Sequence, residues 1–86
     1  MTISLRIEHD PEADAVCVGL RDEPYAFGRD LDDVRRVDFG PDEQPIGIEQ
    51  LFVSHGVEVA GLPQEEAVAR LLEEHGFRVL ASGRPR

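Results

Sequence analysis

The chain has 86 residues, 41% of them hydrophobic, which is enough for one small domain and too few for two. Nine Arg, no Lys and 18 Asp plus Glu leave a net charge of −9, which repels phosphate backbones and argues against free-standing nucleic-acid binding. A single cysteine, Cys17, allows no internal disulfide and no cysteine-rich metal site, and no apolar run approaches the roughly 20 residues of a membrane-spanning helix.

Residues 2–8 alternate strictly, with Ile3, Leu5 and Ile7 on one face, and predict a half-buried strand. Residues 9–14 form a turn in which Asp10 accepts from backbone amides ahead and Pro11 sets its own φ. Residues 15–20 alternate again, with Val16, Val18 and Leu20 on one face. Pairing Glu8 with Ala15 sets Ile7, Leu5 and Ile3 opposite Val16, Val18 and Leu20. A third strand is expected over residues 25–31, joined to the second by a turn at 21–24, with Phe27 opposite Val18. Residues 34–39 and 46–51 read as the fourth and fifth strands around a turn-rich stretch at 40–45. Their register sets Val37 opposite Ile48, Phe39 opposite Ile46 and Arg36 opposite Glu49 as a cross-strand ion pair.

The pattern then changes period. After a connector with a short extended piece at 57–59, Pro63 suits a first helical position, and Glu65 and Glu66 suit a first turn. Val68, Leu71, Leu72 and His75 share a helical stripe, with His75 near the helix C-terminus, where it suits a capping role. Gly76 ends the helix and Phe77 folds back on Leu72. A short final strand is expected within 77–80, and 81–86 form a frayed basic tail. The expected fold is α+β in one domain, 1–86: a mainly antiparallel meander of about five strands over 2–52, a connector and C-terminal helix over 53–80 packed on one face, and the short final strand. Five strands at about 4.8 Å span roughly 24 Å, whereas one helix covers about 10 Å. The uncovered apolar strip therefore calls for a lid, a second copy in a homodimer or a different protein.

Two segments carry more than pattern. His9-Asp10-Pro11-Glu12-Ala13-Asp14-Ala15-Val16-Cys17-Val18 resembles the "YDPEADALYI" opening of domain-of-unknown-function family 2283. Val37-Asp38-Phe39, a polar turn and Ile46-Gly47-Ile48-Glu49 resemble its second block, which ends in "GIEIL". The resemblance spans roughly residues 3–52; Glu43 stands where the family has Gly, and Gln50 where it has Ile or Val. It supplies no catalytic residues and makes Asp10, Pro11, Glu12, Asp14, Asp38, Gly47 and Glu49 motif positions of the framework. It implies a small prokaryotic protein that partners a toxin-like protein of the ribonuclease class, an antitoxin-like role by analogy.

The candidate chemistry is sparse. Asp10, Glu12 and Asp14 alternate as hard-cation ligands do, but a calcium loop wants Gly at its sixth position and Glu at its twelfth, where this chain has Ala15 and Arg21. A turn held by Asp10 accounts for them. His9, Asp14, Asp38 and Glu49 are the only set that could converge as a His/carboxylate site, and a small metal-dependent enzyme using Asp38, Glu49 and a histidine is the alternative reading. His55 reads as a loop histidine. Cys17, with Arg6 as its expected neighbour, reads as an inert strand thiol. No cofactor or metal site is expected. By parity Arg29, Arg35 and Gln50 fall on the apolar face and make a polar corner, which either faces water or docks an anionic group as in a small-molecule sensor. Tyr25, Phe27, Arg29, Arg35 and Gln50 are the candidate partner-binding residues of a non-catalytic interaction module, cytoplasmic and acidic, with a basic protein as its expected partner.

Overall fold

The computed structural model describes residues 5–80; Ile3 and the tail at 81–86 lie outside them. The architecture is α+β. β1 (Arg6–Asp10) and β2 (Ala15–Gly19) form a hairpin, and β3 (Phe27–Asp30), β4 (Arg35–Phe39) and β5 (Pro45–Leu51) form a meander. The two units join through β2 and β5, giving one antiparallel five-stranded sheet in the order β1-β2-β5-β4-β3. A 3-10 turn (Val53–His55) leads to β6 (Val57–Glu58), then α1 (Glu65–Glu74) and β7 (Val79–Leu80), which pairs in parallel with β6.

The expected hairpin between the second and third strands does not form. β2 lies against β5, with Val18 opposite Ile48 and Val16 opposite Gln50, and β3 becomes an edge strand. The segment joining β2 to β3 is not a tight turn: Leu20 and Arg21 both donate to the Ile46 carbonyl, carrying the chain across the end of β5. The β1–β2 register is also shifted by two residues from expectation. Asp10 pairs with Ala15 and Ile7 with Val18, so His9 stands in the strand opposite Val16 rather than in the turn. The shift preserves parity, and Ile7 keeps its apolar face. The turn is built by the two aspartates that flank it. Asp10 Oδ1 accepts from the amides of Glu12 and Ala13 at 3.1 and 3.2 Å, and Asp14 takes φ 54°, which Asp tolerates better than most residues.

The β4–β5 register holds at Val37–Ile48 and Arg36–Glu49, but a bulge between Asp38 and Phe39 sets Phe39 opposite Pro45 instead of Ile46. Position pairing does not bring the expected ion pair: Arg36 Nε reaches Asp38 at 3.4 Å and its Nη1 reaches Asp30 at 3.4 Å. Same-face neighbours on β4 and the edge strand take the guanidinium.

The core lies on one face of the sheet. Val16, Val18, Leu20 and Ile48 pack against Val53, Val57, Val59, Leu62, Val68 and Leu72. Four of those six covering residues precede the helix, so the cover is wider than the single helix foreseen. The connector, β6 and β7 share the work, and much of the strip expected to need a lid is covered by the chain itself. Pro63 stands outside the helix, whose N-cap is Gln64 in a left-handed conformation; Glu65 Oε1 reaches back to the Gly61 amide at 3.3 Å. The C-terminus closes as expected: Gly76 takes φ 86°, its amide donates to Glu73 and the Phe77 amide donates to Leu72. Phe77 then packs edge-on against His9, ring centroids 4.9 Å apart, which ties the end of α1 to β1.

Candidate functional site

Strand alternation divides the candidate residues between two faces. Arg29, Arg35, Gln50, Phe27 and His9 belong to the core side by the observed registers, whereas Asp38, Gly47, Glu49 and Cys17 belong to the opposite, open side. The proposed His/carboxylate site therefore does not assemble around His9. Asp38 and Glu49 stand on one side of the sheet, and His9 packs on Phe77 on the other. Asp14 is occupied elsewhere: its carboxylate accepts from the Ser54 amide at 2.9 Å and from the Ser54 hydroxyl at 2.7 Å, pinning the 3-10 turn to the β1–β2 loop. His55 is exposed in that turn, and His75 caps α1 with its Nδ1 3.0 Å from the Leu71 carbonyl. Among the described residues no group of three or more His, Cys, Asp or Glu is placed to hold a metal ion.

The polar corner is closed at Arg35 and Gln50, whereas Arg29 is exposed. Asp32 Oδ1 accepts from the amides of Val34 and Arg35 at 3.0 and 2.9 Å, and its Oδ2 accepts from Arg35 Nε at 2.9 Å. The fork so oriented carries Arg35 Nη1 to the carbonyls of Ala60 and Glu58, at 2.7 and 3.3 Å. Gln50, 3% exposed, completes the corner: its amide donates to the Glu58 carbonyl at 3.3 Å and accepts from the Glu58 amide at 3.1 Å. Parity foresaw the corner; that the connector backbone fills it was not readable, because the connector carries no pattern that places it there. The Val34 amide above all, helped by Arg35, holds the Asp32 carboxyl below the usual aspartate range against an opposing push from burial.

Arg29 and Phe27 remain from the partner-binding set on this side. Phe27 stacks on Phe39 with centroids 5.0 Å apart and planes 7° apart, and the Arg29 guanidinium lies 5.5 Å above the Phe39 ring. Tyr25 was expected beside Phe27 but lies on the open side. It precedes β3, so alternation does not extend to it, and its hydroxyl meets Arg36 Nη2 at 3.2 Å. It is 57% exposed.

The open side is organised in ranks that run across the strands. Arg6, Gly19, Gly47, Asp38 and Gly28 form one rank; Glu8, Cys17, Glu49, Arg36 and Asp30 form the next. Arg6 lies flat across Gly19 and Arg36 across Gly28, where a Cβ would stand 3.0 and 2.5 Å from a guanidinium nitrogen. A side chain at 19 or 28 would have to push aside the guanidinium that crosses it. Cys17 has Glu8 and Glu49 as cross-strand neighbours, not Arg6. Partial burial first, then Glu49, Glu8, Asp38 and Asp10, push its thiol up, away from the reactive thiolate.

Gln50→Ala is expected to cost about 1–3 kcal/mol in urea denaturation, because the Glu58 amide loses its partner. Asp32 supplies a pH test. Its folded value lies below its unfolded one, so its stabilisation is complete above the aspartate range and is lost as pH falls through the folded value. The stability gap between the wild type and Asp32→Asn should therefore narrow below about pH 4, read from urea titrations at neutral and acid pH. Alkylation of Cys17 by iodoacetamide at pH 7.5 should be slower than that of free cysteine. Glu49→Gln should accelerate it while changing stability by less than about 0.5 kcal/mol, since Arg36 holds its ion pairs elsewhere.

No protein-family model, curated protein sequence or solved structure matches the chain.

Proposed function

We propose that the chain is a non-catalytic protein-interaction module, the acidic member of a pair whose other member is a basic protein. The observation that carries this reading is the β3 end of the sheet. Among the described residues β3 is an edge strand whose outer side is unpaired, Leu31 beyond it is 41% exposed, and the half-buried Phe27–Phe39 stack with exposed Arg29 lies beside it. A free strand edge beside aromatic area is what an incoming segment needs, since backbone hydrogen bonds give affinity and side-chain contacts give selectivity. The net charge of −9 selects a basic partner and speeds its arrival. The resemblance of residues 9–18 and 37–49 to domain-of-unknown-function family 2283 supports an antitoxin-like partner for a toxin-like protein of the ribonuclease class. The positions of Asp38, Glu49 and His9 on two faces weigh against the His/carboxylate enzyme, and the internal bonds of Arg35 weigh against a sensor at that corner.

Affinity capture from the source cells, with wild type and with the Arg29→Glu and Leu31→Asp variants side by side, tests the reading. A basic protein retained by the wild type and lost from both variants is the expected result. Identical captures from all three would place the binding surface away from the β3 edge.

A further inference from the structure

The free edge of β3 carries a pattern of its own. The Leu31 amide donates to the Arg35 carbonyl at 2.8 Å, and bonding residues alternate along an antiparallel strand, so 27, 29 and 31 turn their amides and carbonyls toward β4. Gly28 and Asp30 turn theirs outward, where among the described residues no strand meets them. Side chains alternate as well: Phe27, Arg29 and Leu31 belong to the core side of the edge, Gly28 and Asp30 to the open side. The two charges of the edge thus differ in sign and in side. Arg29 is exposed over the Phe39 ring, 5.5 Å from its centroid, and no carboxylate among the described residues pairs with it. Asp30 gives one oxygen to Arg36 at 3.4 Å and stays 72% exposed. A strand without complementary charges would strip water from both ions and return nothing, so the edge refuses most strands.

We infer that the segment accepted by this edge runs antiparallel to β3 and reads, from its N-terminus, apolar–basic–acidic–small–apolar. Its five residues lie opposite Leu31, Asp30, Arg29, Gly28 and Phe27 in turn. The outward amides and carbonyls of Gly28 and Asp30 bond its backbone, and the antiparallel direction is the stronger per residue and continues the sheet. The two apolar residues extend the core side beside Phe27 and Leu31, which is 41% exposed. The basic residue meets Asp30 and the acidic one Arg29, as cross-strand pairs of opposite charge. Opposite Gly28 the residue is small and uncharged, because the Arg36 guanidinium already lies across that glycine.

The charges fix the register that the backbone alone leaves free. A slip of two residues keeps every side chain on its own side, but it carries the basic residue from Asp30 to Gly28 and Arg36, or past Leu31 into the turn, and leaves Arg29 without its acid. A further basic residue ahead of the five enters at the end where Asp33 stands exposed, which suits a basic protein. This segment is the part of the proposed basic partner that reaches β3, and its pattern rests on that reading.

Two capped peptides of one composition, Arg-Val-Lys-Glu-Thr-Val and Arg-Val-Glu-Lys-Thr-Val, titrated to about 5 mM against the isotope-labelled full chain and followed by amide chemical shifts and hydrogen exchange, test the pattern. The first should shift and protect Gly28 and Asp30 ahead of other amides. It should bind about tenfold tighter than the second, because the swap turns both ion pairs into like-charge contacts. The double variant Arg29→Glu with Asp30→Lys should reverse that preference, whereas loss of the Asp30 contact with Arg36 would weaken both peptides alike. If the double variant does not fold, Asp30→Asn read against a first peptide with Gln in place of Lys gives a cycle whose coupling should be at least about threefold. Binding of neither peptide, shifts centred away from Gly28 and Asp30, equal affinities, or a preference that survives the charge reversal overturns the pattern, and a wild type that favours the second peptide overturns the antiparallel direction. The capture described above reads the partner separately. A basic protein still lost from Arg29→Glu and Leu31→Asp when the peptides fail leaves the edge as the docking place and removes this pattern. Peptides that behave as expected when capture is indifferent to those variants leave the pattern and remove the basic protein.

Discussion

The pairing of β2 with β5 is the contact on which the rest of the molecule depends. It joins a two-stranded hairpin, too small to be stable alone, to a three-stranded meander. It places Val18 against Ile48 at the centre of the core and lets α1 and the connector cover one continuous apolar surface. It also brings Gly19 beside Gly47 and Cys17 beside Glu49 on the other side, so the chemistry of the open face is a consequence of the same register.

The cover is located by polar contacts as well as by apolar area. Hydrophobic burial is not directional and would allow the connector to slide over the sheet. Arg35 and Gln50 remove that freedom by bonding the backbone of Glu58 and Ala60, and Asp32 holds Arg35 in the orientation that reaches them. At the other end Asp14 fixes Ser54, and His9 meets Phe77. Buried polar groups are costly when unpaired, so the Gln50 and Arg35 contacts penalise alternative seatings of the layer. The Asp-Pro-Glu-Ala-Asp segment is thereby explained without a ligand: its first aspartate makes the turn and its last anchors the cover.

The two sides of the sheet consequently differ in kind. The core side ends in a stacked aromatic pair and a free strand edge at β3. The open side is glycine-floored and patterned in charge. A small domain with only one face covered has a large fraction of its backbone within reach of other molecules, and its surface chemistry then decides which of them stay.

Alternation in the sequence determined which side chains share a face, and the β4–β5 register followed because Val37–Ile48 and Arg36–Glu49 both required it. The helix end was legible at Gly76, where a left-handed residue and the Phe77 closure are local demands. The strand order was not legible, because a period of two assigns faces and says nothing about neighbours; β2 can meet β3 or β5 with identical parity. The β1–β2 register slipped by two for the same reason, since every even shift keeps Ile7 with the core. Arg35, Gln50 and the connector meet only through the tertiary structure, because residues 35 and 50 pair across β4 and β5 while residue 58 lies in the layer packed over them. Tyr25 and the partners of Arg36 were decided there too: a residue outside the pleat follows the chain's path, and a long guanidinium takes whichever carboxylates the twist of the sheet brings within its reach.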